Sequence, residues 1–187
     1  MKNTEYTLYL DMDGVLVDFN AGYRDLANGK TIAETVESEG EREARRKYLA
    51  AGVSFWANLP WTYGGLELWR SAQDLFERVC ILSSMGTTDP VRGLMVRAGK
   101  LQWLANNLNP QLPESRIFIV PRRFFKKEYA AHDSILVDDM KDTIKDWNTA
   151  GGYGILHSDS RYKKTIYELE DIATPLNLTE IVKHLRH

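Results

Sequence analysis

The chain has one cysteine, six prolines and no apolar run near the roughly 20 residues needed to cross a bilayer. The single cysteine, Cys80, excludes an intrachain disulfide, and its place in Val79-Cys80-Ile81-Leu82 predicts a buried thiol. Charge of one sign is also lacking. Lys and Arg number 24 against 26 Asp and Glu, a net charge of -2, so the chain as a whole is not drawn to nucleic acid or to an anionic membrane. An anionic substrate must be met locally. The first twenty residues hold one short apolar stretch, interrupted by Asp11 and Asp13, unlike a secretory signal or a mitochondrial presequence, and a soluble, cytoplasmic protein is expected. Repeats and low-complexity segments are missing, and the four histidines (His132, His157, His184, His187) show no paired metal spacing.

What remains is an ordinary globular composition, 187 residues with 43% hydrophobic, which suits one domain with room for a small insertion. Strand signals occur at Tyr6 to Leu10, Val79 to Leu82, Arg116 to Val120, Ser134 to Val137 and Tyr153 to Leu156. Helical spacing separates them. Val91, Leu94, Met95, Ala98, Leu101, Leu104 and Leu108 follow the breaker Asp89-Pro90, Leu66, Trp69, Gln73 and Phe76 precede the second strand, and Met140, Ile144 and Trp147 follow the fourth. Gly151-Gly152 is the expected stop of that helix, and Leu178, Ile181, Val182 and Leu185 predict a last one. Short apolar strands alternating with helices imply βαβ units and a parallel sheet buried on both faces, with ligands outside the carboxyl ends of the strands. Three of these strands end in Asp11, Ser83 and Asp138, so phosphate- and metal-binding groups are expected on one rim. The stretch from Asn20 to Pro60 breaks the alternation. Its charge-rich part, Thr31 to Ala51, predicts a solvated helix, and Phe55-Trp56-Ala57-Asn58-Leu59-Pro60-Trp61 closes a small helical insertion placed to fold over the rim.

Asp11 and Asp13 lie two residues apart on an extended segment and so project to one side, with Gly14 allowing a tight turn after them. Carboxylates hold hard cations such as Mg²⁺ together with phosphate oxygens. One aspartate can attack phosphorus to give an acyl-phosphate, and a second can protonate the leaving oxygen and then activate water. The pair alone also suits the nucleotide-sugar site of glycosyltransferases, but that reading leaves Ser83 and Asp138 without a role.

The flanking sequence narrows the choice. Leu8-Tyr9-Leu10-Asp11-Met12-Asp13-Gly14-Val15-Leu16 resembles the first motif of the haloacid dehalogenase (HAD) superfamily. The resemblance implies a Rossmann-like three-layer α/β fold with a parallel sheet, a nucleophile at Asp11 and an acid/base at Asp13. Ser83 matches the hydroxyl of the second motif, with Ser84 assisting it on phosphate. Asp138-Asp139 with Asp142 resembles the acidic fourth motif, and Asp138 is the preferred metal ligand beside Asp11 and Asp13. Lys100 is assigned to the third motif, because a basic group at a helix start is poorly placed for the macrodipole. Arg122, Arg123, Lys126 and Lys127 form a second basic group, suited to a phosphate, to a nucleic acid backbone or simply to solvent.

Within the superfamily the opening Asp11 to Phe19, the Phe55 to Pro60 segment followed by Gly64-Gly65, Lys100 with Trp103, and Leu136 to Thr143 are most similar to the 5'(3')-deoxyribonucleotidases. That likeness implies a Mg²⁺-dependent phosphomonoesterase acting on nucleoside monophosphates, with Phe19 and Trp56 flanking the base by stacking. A core of 1–19 and 61–187 with a cap of 20–60 is expected. The cap, from Gly29 to Ala51, does not match clearly, and another small phosphorylated metabolite, a polynucleotide end or a non-catalytic binding module are the alternatives. The expected partner is a small phosphate ester, with no membrane. Homodimerisation is left open.

Overall fold

The computed structural model describes residues 2–174, so the helix expected around Leu178 to Leu185 lies outside the described residues. Five strands form one all-parallel sheet in the order β3-β2-β1-β4-β5: β1 (Asn3–Leu10), β2 (Phe76–Ser84), β3 (Ile117–Val120), β4 (Ser134–Asp138) and β5 (Tyr153–Leu156). The period of two along each strand divides the interior into two layers. Leu8, Leu10, Val79, Ile81, Ile135 and Val137 enter one core, with Trp69 of α5 (Gly65–Leu75), Trp103 of α6 (Pro90–Asn107) and Leu169 of α8 (Tyr162–Ala173). Leu82 and Leu136 enter the other, where Trp147 of α7 (Lys141–Thr149) packs edge-on against Tyr9 at 5.6 Å between centroids. The architecture is a three-layer, Rossmann-like α/β fold. Each fully buried leucine or isoleucine contributes about 1.5 to 3 kcal/mol.

Four helices lie between β1 and α5: α1 (Phe19–Leu26), α2 (Ile32–Glu39), α3 (Glu41–Leu49) and α4 (Gly52–Ala57). Backbone bonds pin the two ends of this excursion side by side, Asp18 N to Pro60 O at 2.8 Å and Thr62 N to Leu16 O at 2.9 Å. The Thr62 hydroxyl adds a bond to Val15 O at 2.6 Å. The charge-rich stretch expected as one solvated helix is two, broken at Gly40. Thr31 starts the first with a reciprocal cap, its hydroxyl accepting from Glu34 N while the Glu34 carboxylate accepts from Thr31 N.

Three further expectations are corrected. Phe76 opens β2 instead of closing the helix before it. The expected apolar stripe of α6 is buried only toward its end, at Leu104 and Leu108; its first part is not, since Val91, Leu94 and Met95 are exposed while Gly93, Val96, Gly99, Lys100 and Trp103 face inward. The cause is close helix packing: a Cβ on Gly99 would stand 2.4 Å from the Trp56 Cβ and 2.6 Å from Val53 O, so only glycine lets α4 and α6 meet there. Finally, Lys100 lies inside α6, which starts at Pro90 with Asp89 as its cap, so a macrodipole argument does not apply to it.

Candidate active site

The carboxyl ends of β1, β2 and β4 meet on one rim. Asp11 follows β1 and is tied to the next strand by its backbone N–H, which donates to Val137 O at 3.0 Å. One of its carboxylate oxygens accepts from Met12 N at 2.7 Å, and the other from Lys126 Nζ at 2.8 Å. Asp138, fully buried at the end of β4, accepts from the same ammonium at 2.7 Å and from Met140 N at 2.8 Å. Lys126 thus bridges Asp11 and Asp138, and it is only 2% exposed. Burial disfavours its charge, but the two carboxylates outweigh that and hold its pKa above the usual lysine range. Asp138 shows the converse, with a carboxyl raised by burial against the pull of Lys126.

A second lysine organises the neighbouring pair. Lys100 Nζ, 1% exposed, donates to Asp13 Oδ2 at 2.6 Å and to Ser83 Oγ at 2.9 Å, and lies 5.4 Å from the centre of the Trp56 ring. The Asp13 carboxyl is pushed above the ordinary range by desolvation, with Lys100 opposing and the Asp11 charge adding to the rise. About 30% of this side chain still meets solvent, which tempers the effect.

The carboxylates of Asp11, Asp138 and Asp139 each bring an oxygen within 4.8 Å of the others. Three hard, anionic donors at that spacing fit a divalent cation such as Mg²⁺. Asp139 is pushed up to about 7, first by burial and then by the charges of Asp11 and Asp138, though its side chain keeps solvent contact. Of the expected set, Asp11 and Asp138 lie in this cluster together with Asp139, while Asp13 stands beside it with Oδ2 on Lys100 and Oδ1 without a hydrogen-bond partner among the described residues. Gly14 makes this close approach possible. Its φ is +76°, and a Cβ there would stand 2.4 Å from Asp139 Oδ2.

Above the carboxylates a cavity of about 240 Å³ is walled by Phe19, Tyr48 and Trp56 from the helical excursion and by Ser84 from β2. Ser83, fully buried, is occupied with Lys100, so the hydroxyl lining the cavity is that of Ser84. Phe19 and Trp56 do not stand on opposite sides of a slot. They stack on each other, 5.5 Å between centroids and 21° between planes, so the expected base sandwich is not the arrangement present. Sequence reasoning missed Tyr48, and it named Lys126 only as one of four basic residues and Asp139 only beside Asp138. Lys126 precedes Asp138 by twelve residues in a basic loop, and only its burial separates it from its neighbour Lys127. The doublet Asp138-Asp139 was visible, but not which member the fold would turn toward Asp11.

No family model and no curated protein matches the chain. Among solved structures it is similar to a hydrolase from Pseudomonas syringae, at 17% identity and a TM-score of 0.47 over 92% of this chain and 91% of that one. A HAD-superfamily hydrolase from Ehrlichia chaffeensis matches at 14% identity and a TM-score of 0.47 over 90% and 98% of the two chains. An enzyme of the HAD family from Bacteroides thetaiotaomicron, solved in complex with magnesium and inorganic phosphate, matches at 15% identity and a TM-score of 0.43 over 83% and 96%.

Proposed function

We propose that the protein is a Mg²⁺-dependent phosphomonoesterase that works through an aspartyl-phosphate on Asp11, with nucleoside monophosphates as substrates. The observation that carries this reading is the Lys126 ammonium held between Asp11 and Asp138 beside a third carboxylate, at the strand end where the HAD-like motif lies.

An Asp11 oxygen attacks phosphorus as the bond to the leaving oxygen breaks, and Asp13, whose raised pKa suits an acid, gives that oxygen its proton. Asp13 then takes a proton from water, the water oxygen attacks phosphorus, and the bond from phosphorus to Asp11 breaks to release phosphate. Lys126 neutralises charge on Asp11 as the phosphoryl group arrives, while Lys100 orients Asp13. Asp11, Asp138 and Asp139 would hold Mg²⁺, which when bound supplies positive charge to the phosphate oxygens. Ser84 offers its hydroxyl to the phosphoryl group, and Ser83 supports it from behind by fixing Lys100.

Residues 20–60 act in this reading as a cap on a core of 1–19 and 61–187. The aromatic wall of Phe19, Tyr48 and Trp56 suits a flat nucleobase, giving affinity ahead of discrimination. Purified protein with MgCl₂ should release phosphate from one or more members of a nucleoside monophosphate panel, and chelation should stop it. Asp11→Asn should abolish turnover while the protein still folds, as read by circular dichroism. Turnover within about tenfold of the parent would remove Asp11 from the nucleophile's role.

A further inference from the structure

The cavity over Asp11 does not end at its aromatic wall. Tyr48, Ser84, Gly86 and Arg123 also line a second hollow of about 370 Å³, to which Arg45 of α3 and Arg122 of the loop after β3 contribute. Both arginines converge on one atom: the Gly86 carbonyl oxygen accepts from Arg45 Nη2 at 2.6 Å and from Arg122 Nη1 at 2.8 Å. Two guanidiniums gathered on a neutral oxygen repel each other. Among the described residues neither has a carboxylate within 4.0 Å, although Glu41 lines the same hollow. Nearby arginines are balanced differently, Arg46 by both oxygens of Glu43 and Arg123 by Asp142 at 3.4 Å. Each guanidinium carries five N–H donors in a planar fork matched to phosphate, and Arg45 and Arg122 spend one apiece on Gly86. Past Arg45 a groove of about 610 Å³ continues along Arg42, Arg46 and Arg92. In a chain of net charge -2, this basic track is a local construction.

We infer that Arg45 and Arg122 form a second anion subsite, and that the preferred substrate carries another phosphate on the leaving-group side of the ester cleaved at Asp11. A nucleoside bisphosphate and the phosphorylated end of a short oligonucleotide share that chemistry. The inference rests on the phosphomonoesterase reading for its catalytic readout, and a binding measurement frees it from that dependence.

The test compares the parent with Arg45→Gln and Arg122→Gln, which keep a donor for Gly86 and lose the charge. Substrates are p-nitrophenyl phosphate, a nucleoside 5'-monophosphate, its 3',5'-bisphosphate, and 5'-phosphorylated di- and tetranucleotides, all with Mg²⁺. The parent should favour a substrate with the extra phosphate over the monophosphate by about tenfold or more in kcat/KM, a preference that falls with added salt. Each substitution should remove most of it while p-nitrophenyl phosphate turnover stays within about twofold. A bisphosphate preference that does not grow with chain length identifies the small-molecule source, and a rise from dinucleotide to tetranucleotide identifies a strand lying in the groove. Equal kcat/KM for mono- and polyphosphorylated substrates, or a preference that survives both substitutions, would overturn the inference. If no substrate is hydrolysed, the phosphatase reading fails by itself. Anisotropy of a labelled 5'-phosphorylated tetranucleotide then decides the subsite: about tenfold weaker binding in both variants supports it, and unchanged binding refutes it.

Discussion

Replacing Lys126 with methionine removes the one ammonium that Asp11 and Asp138 share, keeps most of the side-chain volume, and leaves two buried carboxylates facing each other. The two ion pairs that this breaks are 2.8 and 2.7 Å long, between side chains no more than 9% exposed. At an effective dielectric of about 20 each is worth about 6 kcal/mol in Coulomb energy before desolvation is subtracted. Stranding the partner of a buried pair costs about 3 to 5 kcal/mol net, which in a chain of this size lowers Tm by roughly 10 °C. The sign of the pH dependence follows from burial. Burial already raises the Asp138 carboxyl above its unfolded value of about 3.9 and only Lys126 opposes it strongly, so without Lys126 the loss is small near that value and grows as pH rises. Urea unfolding at about pH 5 and about pH 8, with and without MgCl₂, reads both effects. The loss should be larger at the higher pH, and Mg²⁺ should restore more stability to the variant than it adds to the parent, because the cation replaces the missing positive charge. A loss below about 1 kcal/mol, or equal Mg²⁺ increments in the two proteins, would refute the idea that Lys126 holds these carboxylates together.

Gly14→Ala should cost about 1 to 2 kcal/mol of stability through its positive φ, and by displacing Asp139 should weaken Mg²⁺ binding about tenfold in calorimetry, whereas unchanged affinity would remove Asp139 from the metal set. His157, held near a pKa of about 4 by burial against the opposing charge of Asp159, is neutral when folded and bonded to the Thr165 hydroxyl at 3.0 Å. Its folded pKa lies below the unfolded value, so the stability it lends is complete above about 6.5 and is lost as pH falls toward 4, on the order of 3 kcal/mol in all. His157→Asn should flatten that part of the stability profile, and parallel profiles for variant and parent would contradict the assignment.

The sheet was legible because each strand is short, apolar and followed by a polar break, and the rim was legible because Asp11, Ser83 and Asp138 stand at those breaks. The face of α6 was not. Hydropathy scores Leu94 and Met95 as core and Gly99 as neutral, while the packing of α4 against α6 selects for the absence of a side chain and exposes the larger residues. Lys100 was picked out, but for a helix start it does not occupy; its burial against Asp13 and Ser83 sets it apart. Lys126 sits in a short 3₁₀ segment, Arg123–Tyr129, where no helical or strand period marks an inward side. Local sequence cannot tell it from Lys127, because what buries it is a pair of acids supplied by two distant strands.

The two lysine bridges also fix a charge count on the rim. Among the described residues, Asp11, Asp13, Asp138 and Asp139 face only Lys100 and Lys126, Arg123 being matched by Asp142. Fully ionised and metal-free, the rim is doubly negative, the same charge a phosphate monoester brings. In the proposed phosphatase reading the anion and the divalent cation therefore need each other, and thermodynamic reciprocity makes the dependence mutual: the factor by which Mg²⁺ would tighten phosphate binding is the factor by which phosphate would tighten Mg²⁺.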